Sequence, residues 1–458
     1  MIQYFLLVMD SSVNPFQTHT NRLLTKLRTN KMDAISYWNL VAVETMGYDY
    51  DRNVTRTPNV PGPLLASRAM AMLHGAMYNA LKAANSDNSN SVNNAIAKAA
   101  IMEAAYYSLY EFFSTQRPIL NAVRADFIRR ITINGVTMEM VNIGMGLGRS
   151  AATNMFNERA NDGSKTQVSY QPSSELGYHQ VDPLHPTQGF LSPGWAQVKP
   201  FFLRSSSQFR IPTTIGTDVQ TRLLYLDSER YLREYDEVKS IGAKVSTVRT
   251  ADQEEIAIFW AYDGAPRIGL PVRLYNQVAR VIATNKSNSL ETNARMFALI
   301  NYAMADAIIA CWETKYHYNF WRPIVAIRRG TGKTPADPTW EPLGAPASGI
   351  GTDFTPNFPS YSSGHAAFGS SVFQAIRAFY GTDQIGFSFQ SDEFNGETID
   401  SRTKTPRPAR TRRYTTLSQA ETENTLARIY LGIHWRIDQD DGQEIGRRVG
   451  QYVFENFK

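Results

Sequence analysis

The fold turns on residues 293–323, NARMFALINYAMADAIIACWETKYHYNFWRP. Phe297, Met304, Ile308, Cys311 and Lys315 follow one another at spacings of seven, four, three and four residues, the pattern of one helical face. The spacing predicts one long helix whose apolar stripe ends in a lysine. Burying an ammonium is costly unless something pairs with it. Lys315 and Arg322 are seven residues apart, close to two turns of helix, and can point the same way. Pro323 disfavours helical geometry at Arg322, so the helix is expected to end there. A structural reading has the lysine snorkel and the arginine meet a carboxylate. A functional reading has two cations delivered to one end of a bundle.

The rest of the chain also reads as helix. Residues 66–84 and 92–113 are amphipathic, and neither an alternating strand run nor an internal repeat stands out. The expected class is all-α. With 458 residues and 43% apolar content the chain is long enough for one large helical domain or two smaller ones. The turn-rich stretch 172–212 is a candidate boundary between an N-terminal half, 1–212, and a C-terminal half, 213–458. The net charge of +5, from 47 basic and 42 acidic residues, comes without a long basic face, so nucleic acid is not an expected partner. The single cysteine, Cys311, excludes an internal disulfide and a cysteine metal cluster. The start, MIQYFLLVMDSS, lacks a leading basic residue and reads as a poor signal peptide, too short to span a bilayer. No apolar run elsewhere approaches the about 18 residues a membrane helix needs.

Smaller features have bland readings beside sharp ones. GMGLG (144–148) has no strand before it and is expected to serve close helix packing rather than phosphate binding. Residues 330–361 are proline-rich and predict a long loop. The arginines of 391–416, namely Arg402, Arg407, Arg410, Arg412 and Arg413, are expected to be solvated, the alternative being an anion funnel. His19 is expected in solvent and His74 as a satisfied core residue. His179 and His185 flank a loop that could hold a metal. His317, two residues from Lys315, points away from the shared face.

Two further segments tilt the reading of Lys315 and Arg322. In FPSYSSGHAAFGSS (358–371) a turn precedes a helix expected over 366–380. Ser363 and Gly364 lie where free backbone N–H groups at a helix N-terminus would bind an anion, and His365 follows, placed for acid–base work. In ARIYLGIHWRID (427–438) Arg428 is a third cation. His434 and Asp438 are four apart, so the carboxylate can meet the imidazole and fix its tautomer. Three cations, an N–H cradle and two histidines suit a highly charged tetrahedral oxyanion, phosphate or its chemical twin vanadate.

KYHYNFWRP, SSGH and RIYLGIHWRID together resemble, in order and spacing, the three-part signature of the vanadium haloperoxidase and type 2 phosphatidic-acid-phosphatase superfamily. Trp312 three before Lys315, Phe358 seven before His365, FWAYDG (259–264), SYWN (36–39) and GPLLASRAMAMLH (62–74) extend the resemblance to the fungal-type vanadium chloroperoxidases and their bacterial relatives. The similarity runs from about residue 36 to the end of the chain. Ala427 stands where that family usually has serine, and Ser362 where it has proline; neither change removes a charged or ligating side chain. The resemblance implies two four-helix bundles with the active site in the C-terminal one. It implies His434 as the vanadium ligand, and Lys315, Arg322, Ser363, Gly364 and Arg428 around the vanadate oxygens. His365 would be the acid–base, Asp263 the partner of Arg428, and Trp312 and Phe358 the halide side of the pocket, with the aromatic at 358 of the chloroperoxidase type. Hydrogen peroxide, halide and small organic acceptors would be the substrates. The same residues could make an acid phosphatase, with His434 as nucleophile and His365 protonating the leaving group. A helical protein that only binds phosphate or sulfate is the third possibility, although two histidines are superfluous for that. Trp312, Phe358, FWAYDG and the chain length favour the peroxidase.

Overall fold

The computed structural model describes residues 15–84, 91–133, 135–348 and 351–458, so MIQYFLLVMDSS lies outside the described residues. Six helices come first: α1 (Pro15–Thr29), α2 (Ala34–Asp49), α3 (Gly62–Ala84), α4 (Ser91–Phe112), α5 (Arg117–Ile131) and α6 (Met138–Glu158). An irregular passage follows, with a single short 3-10 turn, Pro193–Gln197. Then come α7 (Val219–Leu226), α8 (Glu229–Ile241), α9 (Ala251–Phe259), α10 (Pro271–Asn285), α11 (Leu290–Tyr318), α12 (Pro323–Arg329), α13 (Gly364–Tyr380), α14 (Leu417–Tyr430) and α15 (Arg436–Asn456). The two strands, β1 (Phe387–Gln390) and β2 (Thr411–Tyr414), form one antiparallel hairpin that the alternation pattern is too short to announce. The described residues of 330–361 are largely irregular, as the prolines predict.

Side chains that satisfy orphan amides start many of these helices: Asp33, Asp218, Ser228, Thr250, Ser289, Ser363 and Thr416 each accept from the first turn. The 29-residue α11 is the axis. It packs on α3 beside α4 and α6 in one bundle, and on α13 and α15, with α14 outside them, in the other. It is long and apolar enough to cross a membrane, but 94% of its most apolar window is buried inside the protein, as in a core helix. One apolar core runs through both bundles, from Leu23 to Phe457.

Glycine sets how closely the helices approach. In GMGLG, a Cβ on Gly144 would sit 2.3 Å from the Ile96 carbonyl oxygen, and one on Gly148 2.2 Å from that of Ala100, so this motif does serve close packing, of α6 on α4. A second set was not singled out in the sequence. Gly442, Gly446 and Gly450, four apart along α15, would place a Cβ 2.8 Å from Ser363 O, 2.4 Å from Ala367 O and 2.5 Å from Ser371 O of α13. That seam holds the helix after His434 against the helix that carries His365.

Two expectations need correcting. His19 is buried, with Nε2 3.4 Å from Asp51 Oδ2, because a partner distant in sequence covers it. The arginine-rich stretch is solvated only in part: Arg402, Arg410 and Arg413 are exposed, but Arg407 and Arg412 are not. Arg407 is buried against Asp400 (2.9 Å) and Glu393 (2.5 Å), Arg412 grips Glu423, Asp252 and Glu255, and Arg402 bonds Glu254. These pairs tie the hairpin region to α9 and α14.

His74 is the satisfied core histidine expected, with Asn39 donating to Nε2 (3.0 Å) and Nδ1 bonding the Met70 carbonyl (3.0 Å). Burial lowers its pKa to about 4, so the unfolded chain takes up its proton first. Stability contributed by neutral His74 is therefore complete above about pH 6.5 and lost as pH falls toward about 4, a loss of about 3 kcal/mol that urea denaturation at several pH values measures. The seam predicts that Gly446→Ala lowers unfolding free energy by about 1–3 kcal/mol. Gly146→Ala, with nothing within 4 Å of the added Cβ, should instead be neutral or stabilising by up to about 1 kcal/mol.

Candidate oxyanion site

The end of α11 differs from the sequence expectation. Asn319 takes left-handed backbone (φ 51°, ψ 47°) and closes the helix at Tyr318, so Pro323 does not set the boundary. Arg322 is extended and precedes α12 as its N-cap. Lys315 and Arg322 therefore meet through a turn, not through two turns of one helix. The irregular passage after α6 backs that turn: the His179 amide bonds Asn319 O (3.0 Å) and the Trp321 amide bonds Gly177 O (3.1 Å). Arg222, fully buried, donates to the carbonyls of Ile215, Gly177, Gly216 and Tyr318 and locks the two segments together.

Lys315 is fully buried, and its Nζ donates to the carbonyls of Pro359 (2.8 Å) and Ser360 (2.9 Å). Burial is the main cause that pulls its pKa down to about 7, and Arg322 and Arg428 add to the fall. Arg322 donates from Nε to Phe358 O (2.9 Å) and from Nη1 to Ile433 O (2.8 Å) and His434 Nε2 (2.9 Å). Asp263 accepts both Nη groups of Arg428, at 2.7 and 2.9 Å. Two buried guanidinium nitrogens, Arg322 Nη2 and Arg428 Nε, have no protein partner among the described residues.

His434 lies in the turn before α15, not on the helix, and Asp438 lies in that helix's first turn. The contact expected from their spacing forms all the same, Nδ1 to Oδ2 at 2.8 Å. Asp438 Oδ2 also accepts from the Trp435 amide and the Ser360 hydroxyl. A carboxylate at Nδ1 puts the hydrogen there and leaves Nε2 with its lone pair toward Arg322. Burial first, then Arg322, Lys315, Arg428 and His365, drive the His434 pKa well below the ordinary range, so the imidazole is neutral.

His365 sits in the first turn of α13 with Nε2 2.6 Å from Ala261 O. A carbonyl only accepts, so Nε2 carries the hydrogen and Nδ1 holds the lone pair. Arg428 Nη1, at 3.5 Å from the same nitrogen, is too long to compete. Burial, then Arg428, lowers the His365 pKa to about 4. Ser363 caps α13, its hydroxyl accepting from Ala366 N (3.4 Å). Its own amide donates to Asp438 O (2.8 Å), so the expectation of a free N–H at Ser363 does not hold. Gly364, the first helical residue, carries an amide the helix itself cannot satisfy.

Part of this set borders a cavity of about 250 Å³, while Lys315, Arg322, Ser363 and Asp438 are not in its lining. Asp263, Gly364, His365, Arg428 and His434 form its polar floor, and Trp312 and Phe358 stand beside them with ring centroids 4.7 Å apart. Lys315 Nζ lies 5.0 Å from the Phe358 centroid and 5.6 Å from that of Trp312. Three buried cations thus face two carboxylates, with guanidinium nitrogens still unpaired, and this donor set fits a compact polyanion.

Several supporting residues carried no motif. Tyr275 Oη and Asn424 Nδ2 both donate to the His365 carbonyl, at 3.1 and 3.0 Å. Asn424 stands one turn before Arg428 on the buried face of α14, a signal the sequence did offer. Tyr50, Gly62, Pro63 and Leu191 reach the cavity from the first half of the chain. His179 and His185 do not make a metal site together: His185 bonds Asp182 and Thr352, while His179 is buried near Tyr170 and Phe190.

Fold and site define a helical protein with a buried, cation-rich cavity lined by two neutral histidines. Residues 295–458 match the family described as the VCPO second helical-bundle domain. A vanadium chloroperoxidase of Curvularia inaequalis is 28% identical across 90% of this chain and 80% of its own length. Among solved structures, a bacterial vanadium-dependent iodoperoxidase superposes with a TM-score of 0.70 at 22% identity, covering 94% of this chain and 98% of its own. A holo-type bacterial vanadium-dependent chloroperoxidase gives 0.66 at 18% identity, covering 88% and 95%. The C-terminal part of the chain thus matches the VCPO helical-bundle family, and the chain as a whole is similar in sequence to a vanadium chloroperoxidase and shares the fold of bacterial vanadium-dependent haloperoxidases.

A bound polyanion favours charged Lys315 and raises its depressed pKa, so binding should take up protons above about pH 7. Sulfate, which does not titrate there, is the clean probe. Calorimetry in buffers of different ionisation enthalpy should show uptake that the Lys315→Met variant loses.

Proposed function

We propose that the protein oxidises halide with hydrogen peroxide to hypohalous acid, with vanadate held in the site described above, and that the hypohalous acid halogenates small organic acceptors. The observation that carries this reading is the Nε2 lone pair of His434, its ring kept neutral by burial and the neighbouring cations, its tautomer set by Asp438, and its nitrogen set near unpaired guanidinium nitrogens. A neutral imidazole nitrogen is a metal ligand, whereas cations alone would serve any anion. Lys315, Arg322, Arg428, the Ser363 hydroxyl and the Gly364 amide would hold the vanadate oxygens. Bound vanadate supplies a Lewis acid that polarises peroxide toward attack by halide.

The remaining work falls to the chain. His365 Nδ1, neutral down to about pH 4, takes the proton that peroxide gives up. Lys315 brings positive charge to the oxygen that becomes negative as the halide attacks. Asp263 keeps Arg428 in place, and Asp438 keeps His434 in the tautomer that can ligate. Trp312 and Phe358 wall the halide side and exclude water, which strengthens every charge interaction inside.

Protein supplied with orthovanadate, peroxide and bromide should brominate a halogen-trapping dye, and without vanadate it should not. His365→Ala should cut turnover by roughly 10²–10⁴-fold while sulfate binding persists. Robust hydrolysis of a chromogenic phosphate ester, inhibited by vanadate and unaccompanied by dye bromination, would overturn the reading in favour of a phosphatase.

A further inference from the structure

The cavity has an aromatic wall that the proposed chemistry does not use. Tyr50, the residue after α2, is the one tyrosine among the described residues that line it. Its oxygen accepts from the Gly62 amide at 2.9 Å, and its own amide bonds Gly47 O at 3.2 Å, so both ends of the side chain are held. The Cε1–Cδ1 edge of the ring lies against Gly264, which also lines the cavity, next to Asp263. A Cβ built on Gly264 would stand 3.4 Å from Tyr50 Cε1 and 3.8 Å from Cδ1. Gly264, at φ +91°, puts no side chain between that edge and the cavity. Cε1 is ortho to the hydroxyl. In a tyrosine the para carbon is already substituted, so the ortho carbons are the ones an electrophile attacks.

We propose that Tyr50 is a self-halogenation site, taking halogen at Cε1 from the hypohalous acid released in the same cavity. The inference rests on the functional reading above. The ring supplies an electron pair to the halogen, a carbon–halogen bond forms, and the halogen–oxygen bond breaks. The proton lost from Cε1 leaves with the departing hydroxide as water. The ring carbon is oxidised by the hypohalous acid, whose halogen ends at the level of halide. Burial raises the Tyr50 pKa and keeps the phenol neutral, which slows this reaction relative to a phenolate. Nearness to the source works in the opposite direction, because the ring lines the cavity in which the oxidant is released. A halogen at Cε1 takes up the space over Gly264 and narrows the way in, so the label also marks enzyme that has turned over.

The test uses the full chain loaded with orthovanadate and run for limited turnovers with peroxide and bromide, followed by digestion and peptide mass spectrometry. Bromine should replace one ring hydrogen of Tyr50 on the order of tenfold more often than in the partly exposed Tyr106, Tyr107, Tyr110 or Tyr452. The same amount of hypobromite added from outside should abolish that preference, since Tyr50 is itself partly exposed, and Tyr50→Phe should lose the label. Dye bromination with Tyr50 unmodified, with Trp312 modified in its place, or with label spread evenly over the tyrosines overturns this inference alone. Absence of vanadate-dependent dye bromination overturns the functional reading and takes this inference with it.

Discussion

Buried positive charge is the constraint around which this chain is organised. Lys315, Arg322 and Arg428 are all essentially inaccessible to solvent, and removing even one cation from water costs several kcal/mol before any partner is counted. Four backbone carbonyls from two segments, Phe358, Pro359 and Ser360 in one and Ile433 in the other, repay part of that cost, and Asp263 repays more. What they leave is an excess of positive charge with two guanidinium nitrogens unpaired. Such a core is at its most stable with a polyanion in it, so the binding site and a local instability are the same feature.

Holding repelling groups together requires stiff supports. The glycine seam of α15 on α13 fixes His434 and Asp438 relative to Ser363 and His365 by backbone contact, which leaves little room to slide. Arg222 does the same for the turn that carries Arg322, gathering four carbonyls from the irregular passage and the end of α11. That passage, which reads in sequence as a mere connection, is thereby part of the site's foundation. The first half of the chain closes the cavity from the other side through Tyr50 and Pro63.

What could be read from sequence follows from the range of the forces involved. Helix spans were legible because apolar periodicity and capping residues are local; α13 begins within two residues of its expected start. The motif residues were legible as a set, since cations, histidines and small residues at those spacings have few other uses. Local rules failed where two of them competed. Asn319 ended α11 ahead of Pro323 because an asparagine tolerates left-handed backbone and its side chain finds Tyr170 (2.6 Å). The Ser363 amide looked free because its acceptor, Asp438 O, is remote in sequence. His19, the arginines of the hairpin region and the cavity wall at Tyr50 were illegible for the same reason: each depends on a partner that only the fold brings near.

The central claim is that this surplus of buried charge exists to seat one tetrahedral oxyanion on His434. The most direct measurement is the anomalous scattering of vanadium in crystals soaked with orthovanadate. The account predicts a single strong peak at bonding distance from His434 Nε2, with the oxygens turned toward Lys315, Arg322 and Arg428. An empty cavity, or a peak with the His434 ring turned away from it, would contradict the account.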